Sequence, residues 1–248
     1  MAVDWSKYRA AILDMDGVIT RSARTHFGAW KQLFDDYLRE RSERTCAEFH
    51  AFTEKDYYRY VDGKPRYEGA QSFLQSRGID LPFGEPGDAP EKETVSGLGN
   101  RKNQYFLSHL KEHGVESYGS TRDFILWFKA CGGRVAAISS SRNARAVLDA
   151  AGVTDIFDAI VDGVDSTRLN LKGKPQPDIF LEAARQLGIE PVESAVFEDA
   201  IAGVEAGRAG GFGLVVGVDR QGNNTGLKEA GADIVVRDVS DLMQRVWN

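Results

Sequence analysis

Four groups of polar residues stand where chemistry is possible. Asp14 and Asp16 leave the apolar run Arg9 to Leu13 two residues apart, and residues at i and i+2 of an extended segment point to the same side. Such a carboxylate pair can bind a hard cation, with one carboxylate for nucleophilic attack and the other for proton transfer. An acidic turn, with Asp and Gly17 present for backbone reasons, is the other reading. After the run Val135 to Ile138 comes Ser139-Ser140-Ser141-Arg142-Asn143. Hydroxyls and free amides at a helix start suit an anion such as phosphate, or they simply cap the helix. Lys174 precedes the proline-stiffened helix start Pro175-Gln176-Pro177-Asp178. An ammonium fixed there can neutralise a transferring phosphoryl group; a solvated surface lysine is the alternative. Glu198-Asp199 closes the run Ala195 to Phe197, as a second acidic pair or as a capping Asp.

These groups need elements to hold them. The brief apolar runs Arg9 to Leu13, Val135 to Ile138, Ala159 to Val161, Ala195 to Phe197, Leu214 to Val218 and Ile234 to Val236 read as buried strands. Between them, Thr121 to Ala130, Asn143 to Ala151, Asp178 to Leu187, Ala200 to Ala209 and Thr225 to Ala230 have helical spacing, several closing on glycine. This alternation predicts an α/β fold, a parallel sheet covered on both faces, with ligands outside the carboxyl ends of its strands. Residues 21–116 differ, showing helical periodicity at His26, Trp30, Leu33, Phe34, Tyr37 and Leu38, and again over Tyr67 to Ser76 and Arg101 to His113. The expected organisation is an α/β core, 1–20 plus 117–248, interrupted by a helical insertion. Within the insertion, Asp80 to Gly99 is rich in Pro, Gly and acidic residues and reads as an exposed linker.

Composition narrows the function. The 248 residues, 42% of them hydrophobic, suffice for one sizeable core or a core with a smaller partner. Lys plus Arg number 31 against 37 Asp plus Glu, a net charge of −6 with no basic stretch, so no nucleic-acid partner is expected. Cys46 and Cys131 have no metal-ligand spacing, and the first residues carry no apolar signal run, so a reduced, cytoplasmic protein is expected. No apolar segment approaches the ~18 residues that span a bilayer, so no membrane partner is expected either.

In the order acid, hydroxyl, lysine, acid, the four groups resemble the motifs of the haloacid dehalogenase-like (HAD) superfamily, here DMDGVIT, ISSS, KGKPQPDIF and FEDAIAGVEAGRAGG. The resemblance spans essentially the whole chain. It implies a Rossmann-like HAD core with an inserted cap, and a site in which Asp14 attacks phosphorus to form an aspartyl-phosphate. Asp16 then protonates the leaving oxygen and later activates the acceptor. Mg²⁺ is implied as cofactor, held by Asp14, the backbone carbonyl of Asp16 and Asp199, with Glu198 in or next to its shell and Lys174 beside it. Ser139 and the amide of Ser140 would hold the phosphoryl oxygens. A dehalogenase has no use for the second aspartate, so Asp16 argues for phosphate chemistry.

Within the superfamily the chain is similar to the β-phosphoglucomutase family, and the similarity extends into the helical insertion. His26 and Trp30 fall in HFGAW, where the resemblance implies a histidine bonded to the acid/base aspartate; packing or capping is the alternative for His26, and Trp30 is assigned to packing. Gly63-Lys64-Pro65-Arg66 matches a cap segment whose arginine grips the far phosphate, which implies Gly63 and Arg66 in substrate binding, unless Arg66 is a solvated charge. Lys102, in Arg101-Lys102-Asn103, is implied to contact the sugar, and Ser141, Arg142 and Asn143 resemble sugar-phosphate contacts. Three features depart from the family pattern: Arg21 replaces an acidic residue, Ser22 stands where threonine is usual, and Asp80 to Gly99 is long. The expected function is a phosphomutase acting on a small-molecule sugar phosphate, as a monomer. Its rivals are a sugar-phosphate phosphatase using water as acceptor and a phosphate-binding module without turnover, the last disfavoured by the intact four-part site.

Overall fold

The strands β1 (Ala10–Asp14), β2 (Arg134–Ile138), β3 (Ala159–Val161), β4 (Ser194–Glu198), β5 (Leu214–Val218) and β6 (Ile234–Val236) form one parallel sheet in the order β3-β2-β1-β4-β5-β6. The structure, a computed structural model, describes residues 3–46, 48–61, 64–220, 222 and 224–243. Every residue of β1, β4 and β5 is buried, which is why these strands read as apolar runs without alternation. The sheet belongs to a compact unit of Met1–Ser22 and Val115–Asn248; Ala23–Gly114 forms a second.

The second unit is helical. It contains α1 (Ala23–Thr45), the single turn α2 (Glu54–Asp56), α3 (Arg66–Ser76) and α4 (Val95–His113). From α1, Trp30, Leu33, Phe34 and Tyr37 project at three- and four-residue steps into a core with Phe52, Phe73 and Leu98. The Phe34 and Phe73 rings lie 4.1 Å apart. Trp30 is buried and stacks on Phe34 at 5.2 Å, the packing role its spacing predicts.

One expectation here is overturned in part. Residues 80–93 are largely exposed and form no helix or strand, but residues 95–99 are the buried first turn of α4, capped by Thr94, whose side chain accepts from the Gly97 amide at 3.0 Å. Its two glycines, which read as loop residues, answer a steric demand. A β-carbon at Gly97 would overlap the Lys92 carbonyl oxygen, and one at Gly99 would lie 2.6 Å from Tyr67 Cδ1. The segment before the helix is held as well: Asn100 donates to the Pro86 carbonyl at 3.0 Å and to that of Asp88 at 2.9 Å.

The sheet unit adds α5 (Gly119–Ala130), α6 (Ala144–Ala150), α7 (Gly163–Leu169), α8 (Asp178–Leu187), α9 (Ile201–Ala209) and α10 (Asn224–Glu229). From α8, Ile179, Phe180, Ala183, Ala184 and Leu187 pack with Ile12 and Val196, and Gly188 at φ 66° ends the helix. Phe124 of α5 lies 5.0 Å from Phe197. Adjacent strand residues point to opposite faces, so Val196 and Phe197 show that helices cover both. Helix α7 was not expected. Its start is a reciprocal cap between Asp162 and Asp165. Among the described residues no helix is long and apolar enough to cross a membrane.

The close approach at Gly97 is testable. Gly97→Ala should lower stability by about 1–3 kcal/mol through overpacking, whereas Gly87→Ala, with nothing within 4 Å of its added carbon, should stay within about 0.5 kcal/mol of the parent. Urea unfolding of the two variants makes the comparison.

Candidate active site

Strands β2, β1 and β4 are neighbours, so the segments leaving their carboxyl ends meet. Leu13 pairs with Phe197, which sets the next residues, Asp14 and Glu198, side by side. Lys174, from the loop before α8, joins them: its Nζ donates to Asp14 Oδ1 at 2.5 Å and to Glu198 Oε1. Glu198 is engaged at both oxygens, since Oε2 accepts from the Ala200 amide at 2.8 Å. Asp14 and Glu198 are buried, Asp199 partly so. Asp16, on the turn after β1, accepts from the Ser22 hydroxyl.

Two glycines make this crowding possible. Gly17 has φ 80°, a left-handed conformation that favours glycine, and a β-carbon there would collide with the Asp199 carboxylate. At Gly203 a β-carbon would collide with Glu198. Neither glycine, nor Ser22 as the partner of Asp16, was singled out for the site from the sequence, although both glycines stand within the first and last motifs.

The serine segment forms a tight turn after β2. Ser139 is 2% exposed, and its hydroxyl accepts from the Ser141 amide at 3.1 Å, while Ser141 Oγ accepts from the Asn143 amide at 3.2 Å. Ser140 and Arg142 are exposed. Gly163 lies against this turn, where a β-carbon would overlap the Ser140 carbonyl. These bonds lie within the turn itself: Asn143, the residue before α6, makes no side-chain cap to the helix, and Ser140 is left exposed.

The other candidates lie in the helical unit. Lys102 Nζ is 3.0 Å from His26 Nδ1, and lies 4.7 Å from the Phe106 ring centroid and 5.1 Å from that of Trp30. Burial, then the Lys102 and Arg66 charges, push the His26 imidazole well below its usual range, so it is neutral. Arg66 donates to Asn103 Oδ1 at 2.8 Å and is half-buried, which removes the solvated-charge reading. Gly63 lies outside the described residues.

Charge is unbalanced at the sheet's edge. Burial pushes the Asp14 carboxyl up to about 8; the Lys174 ammonium pulls it down, and the Glu198 and Asp16 charges push it up. Burial raises Asp199 well above the carboxylate range, with Glu198, Asp14 and Asp16 adding to it. Burial works against the Lys174 charge, yet Asp14 and Glu198 keep it protonated. The Lys174 ammonium thus bonds Asp14 and Glu198 and also acts on Asp199. Oxygens of Asp14, Glu198 and Asp199 lie within 4.8 Å of one another and could hold a metal ion. An all-oxygen set of that kind fits a hard divalent cation.

The parallel sheet, the acidic cluster at its switch point and the lysine between two carboxylates define a phosphotransfer enzyme, a phosphomutase or a phosphatase. A family model for haloacid dehalogenase-like hydrolases matches residues 8–211, and the chain belongs to that family. Within it the chain is β-phosphoglucomutase-like. It is 46% identical to a β-phosphoglucomutase of Mycobacterium tuberculosis, over 96% of this chain and 92% of that protein. It is 34% identical to the β-phosphoglucomutase of Bacillus subtilis, over 94% and 91%. A solved β-phosphoglucomutase from Clostridium difficile superposes with a TM-score of 0.71 at 27% identity, covering 95% of this chain and 93% of that one.

The approach of Asp199 to Gly17 can be tested without a natural substrate. Gly17→Ala should reduce turnover of p-nitrophenyl phosphate by about 100-fold, the scale of a 1 Å misplacement. Gly211→Ala shares the left-handed backbone, φ 70°, but meets nothing within 4 Å. It should keep the parental rate.

Proposed function

We propose that this chain is a Mg²⁺-dependent phosphomutase that moves a phosphoryl group between O1 and O6 of a hexose phosphate. Residues 1–20 and 117–248 are its catalytic domain and 21–116 its cap, and it works as a cytoplasmic monomer on a small molecule. The observation that carries the reading is the single ammonium bonded to both Asp14 and Glu198, because it sets a fixed positive charge against a buried carboxyl beside a cation site.

A carboxylate approaching an anionic phosphate meets like-charge repulsion, so the reaction needs positive charge around Asp14. Asp14, the Asp16 carbonyl and Asp199 would hold Mg²⁺, which when bound supplies charge neutralisation for the transferring group. Glu198, engaged by Lys174 and the Ala200 amide, orients the lysine at the edge of that shell. Asp14 attacks phosphorus through a carboxylate oxygen, the bond from phosphorus to the sugar oxygen breaks, and Asp16 gives that oxygen its proton. In the second half Asp16 takes the proton of the acceptor hydroxyl, whose oxygen attacks phosphorus and frees Asp14. Ser139 and the Ser140 amide hold the phosphoryl oxygens; Ser141, Arg142 and Asn143 meet the sugar phosphate. Arg66, Lys102 and His26 gather basic groups in the helical unit, which supports a role for them, with Gly63, in binding the substrate's distal phosphate and hydroxyls.

If water is the acceptor, the same residues make a phosphatase, so product analysis separates the two. β-Glucose 1-phosphate with a trace of β-glucose 1,6-bisphosphate should yield glucose 6-phosphate faster than inorganic phosphate, followed by phosphorus NMR. Arg66→Ala should reverse that preference. Inorganic phosphate as the main product of the parental enzyme across a sugar-phosphate panel would transfer the assignment to the phosphatase. Asp14→Asn should lower turnover by at least about 10³-fold with little change in melting temperature. EDTA should abolish activity, and Mg²⁺ should restore it.

A further inference from the structure

Arg220 is absorbed by none of these roles, yet it is tied to the turn that carries Asp16. Its Nε donates to the Gly17 carbonyl at 3.4 Å, across 203 residues of chain. Nη1 donates to the Arg237 carbonyl at 3.0 Å and to Asp238 Oδ2 at 3.2 Å. The guanidinium carbon stands 3.9 Å from the centroid of the Tyr118 ring. Nη2 is buried and makes no hydrogen bond, a desolvation cost that a packing residue such as Met would avoid.

The surroundings aim this side chain. Asp219, buried at the end of β5, donates its amide to the Val236 carbonyl and accepts from the Gly222 amide at 2.6 Å. Asp238 is held by Ser120 and Ser240. Against burial, hydrogen bonds from Ser240, Ser120 and Arg220 keep its carboxyl down at about 2.

The turn itself is anchored along its length. Thr20 and Ile19 donate to the Met15 carbonyl, Tyr118 to that of Ile19, Thr121 to that of Val18, and Gly17 to that of Thr20. Gly17, between Asp16 and the Asp199 carboxylate, has the greatest backbone freedom of the turn. The Gly17 carbonyl is where Arg220 attaches.

We propose that Arg220 is a positioning residue for phosphoryl transfer: its Nε fixes the Gly17 peptide, and so sets Asp16 and the approach of Asp199 to the turn. The catalytic part of this inference rests on the function proposed above; the clamp itself does not. Arg220→Met should lower kcat about 10- to 100-fold while leaving KM within about twofold. Amide exchange in a peptide covering residues 14–20 should accelerate at least about tenfold, with β2 and β5 unchanged. Arg220→Lys retains a cation beside Tyr118 but cannot reach the Gly17 carbonyl and Asp238 together, so it should keep the parental melting temperature without recovering kcat. Arg21→Met removes the other guanidinium over Tyr118, at 4.6 Å, and should leave kcat and turn exchange at parental values.

Unchanged kcat or unchanged turn exchange in Arg220→Met would overturn the proposal. So would full recovery in Arg220→Lys, equal losses in Arg21→Met, or exchange accelerated uniformly across the sheet. The kinetics are run with acetyl phosphate as well as β-glucose 1-phosphate. Failure of the parental enzyme on the sugar phosphate alone counts against the mutase assignment, while exchange and acetyl phosphate turnover still decide the role of Arg220.

Discussion

Acidic groups crowded at the carboxyl edge of a parallel sheet are the constraint from which the rest of this architecture follows. Asp14, Glu198 and Asp199 offer oxygens within 4.8 Å of one another, Asp16 stands on the next turn, and the Lys174 ammonium bonds two of the acids. Burying charges in this way is rarely a source of stability, because desolvation offsets most of the attraction. The fold must therefore be secured elsewhere. In the sheet unit that security comes from fully buried strands and from helices on both faces, α8 against Ile12 and Val196 and α5 against Phe197. In the helical unit it comes from aromatic rings around Phe34, Phe52 and Phe73.

How well each part could be read from the sequence depends on how local its cause is. β5 occurs where its apolar run places it, since burial on both faces writes itself directly into composition; α8 ends at its glycine stop, and β3 and β6 match their apolar runs although, at the two ends of the sheet, they are only partly buried. The first turn of α4 escaped because Gly97 and Gly99 look like loop residues, whereas their small size serves the Lys92 carbonyl and the Tyr67 ring. Helix α7 escaped because its apolar face is slight, and its one strong mark is the pair Asp162 and Asp165. The acids and Lys174 were legible because each follows a strand or opens a helix. The partners that orient them were not: Ser22 meets Asp16, and Arg220 meets Gly17, only through tertiary packing.

The helical unit shows a different use of charge. Lys102 is 5% exposed and lies over the Phe106 and Trp30 rings beside His26. An ammonium held over aromatic faces is stabilised by their quadrupoles while remaining a cation. The neutral imidazole can accept from it at Nδ1, which leaves the other ring nitrogen as a donor. Trp30 thus has two functions where its spacing shows one: it fills the core with Phe34 and offers a face to Lys102.

The choice of lysine at position 174 follows from what the carboxylates have to do. An arginine fork binds a carboxylate through two parallel bonds and engages both of its oxygens, whereas an ammonium is a point charge on a flexible stem. Lys174 contacts one oxygen of Asp14, Oδ1, and one of Glu198, Oε1. The second Glu198 oxygen is taken by the Ala200 amide. Oδ2 of Asp14 is therefore the oxygen that Lys174 leaves to other partners, and a nucleophile that must also serve a cation needs its two oxygens to be distinct. Holding Oδ1 fixes the rotation of the carboxylate about its axis and with it the direction in which Oδ2 points. The charge that pulls the Asp14 carboxyl down against its burial is thus also what aims it.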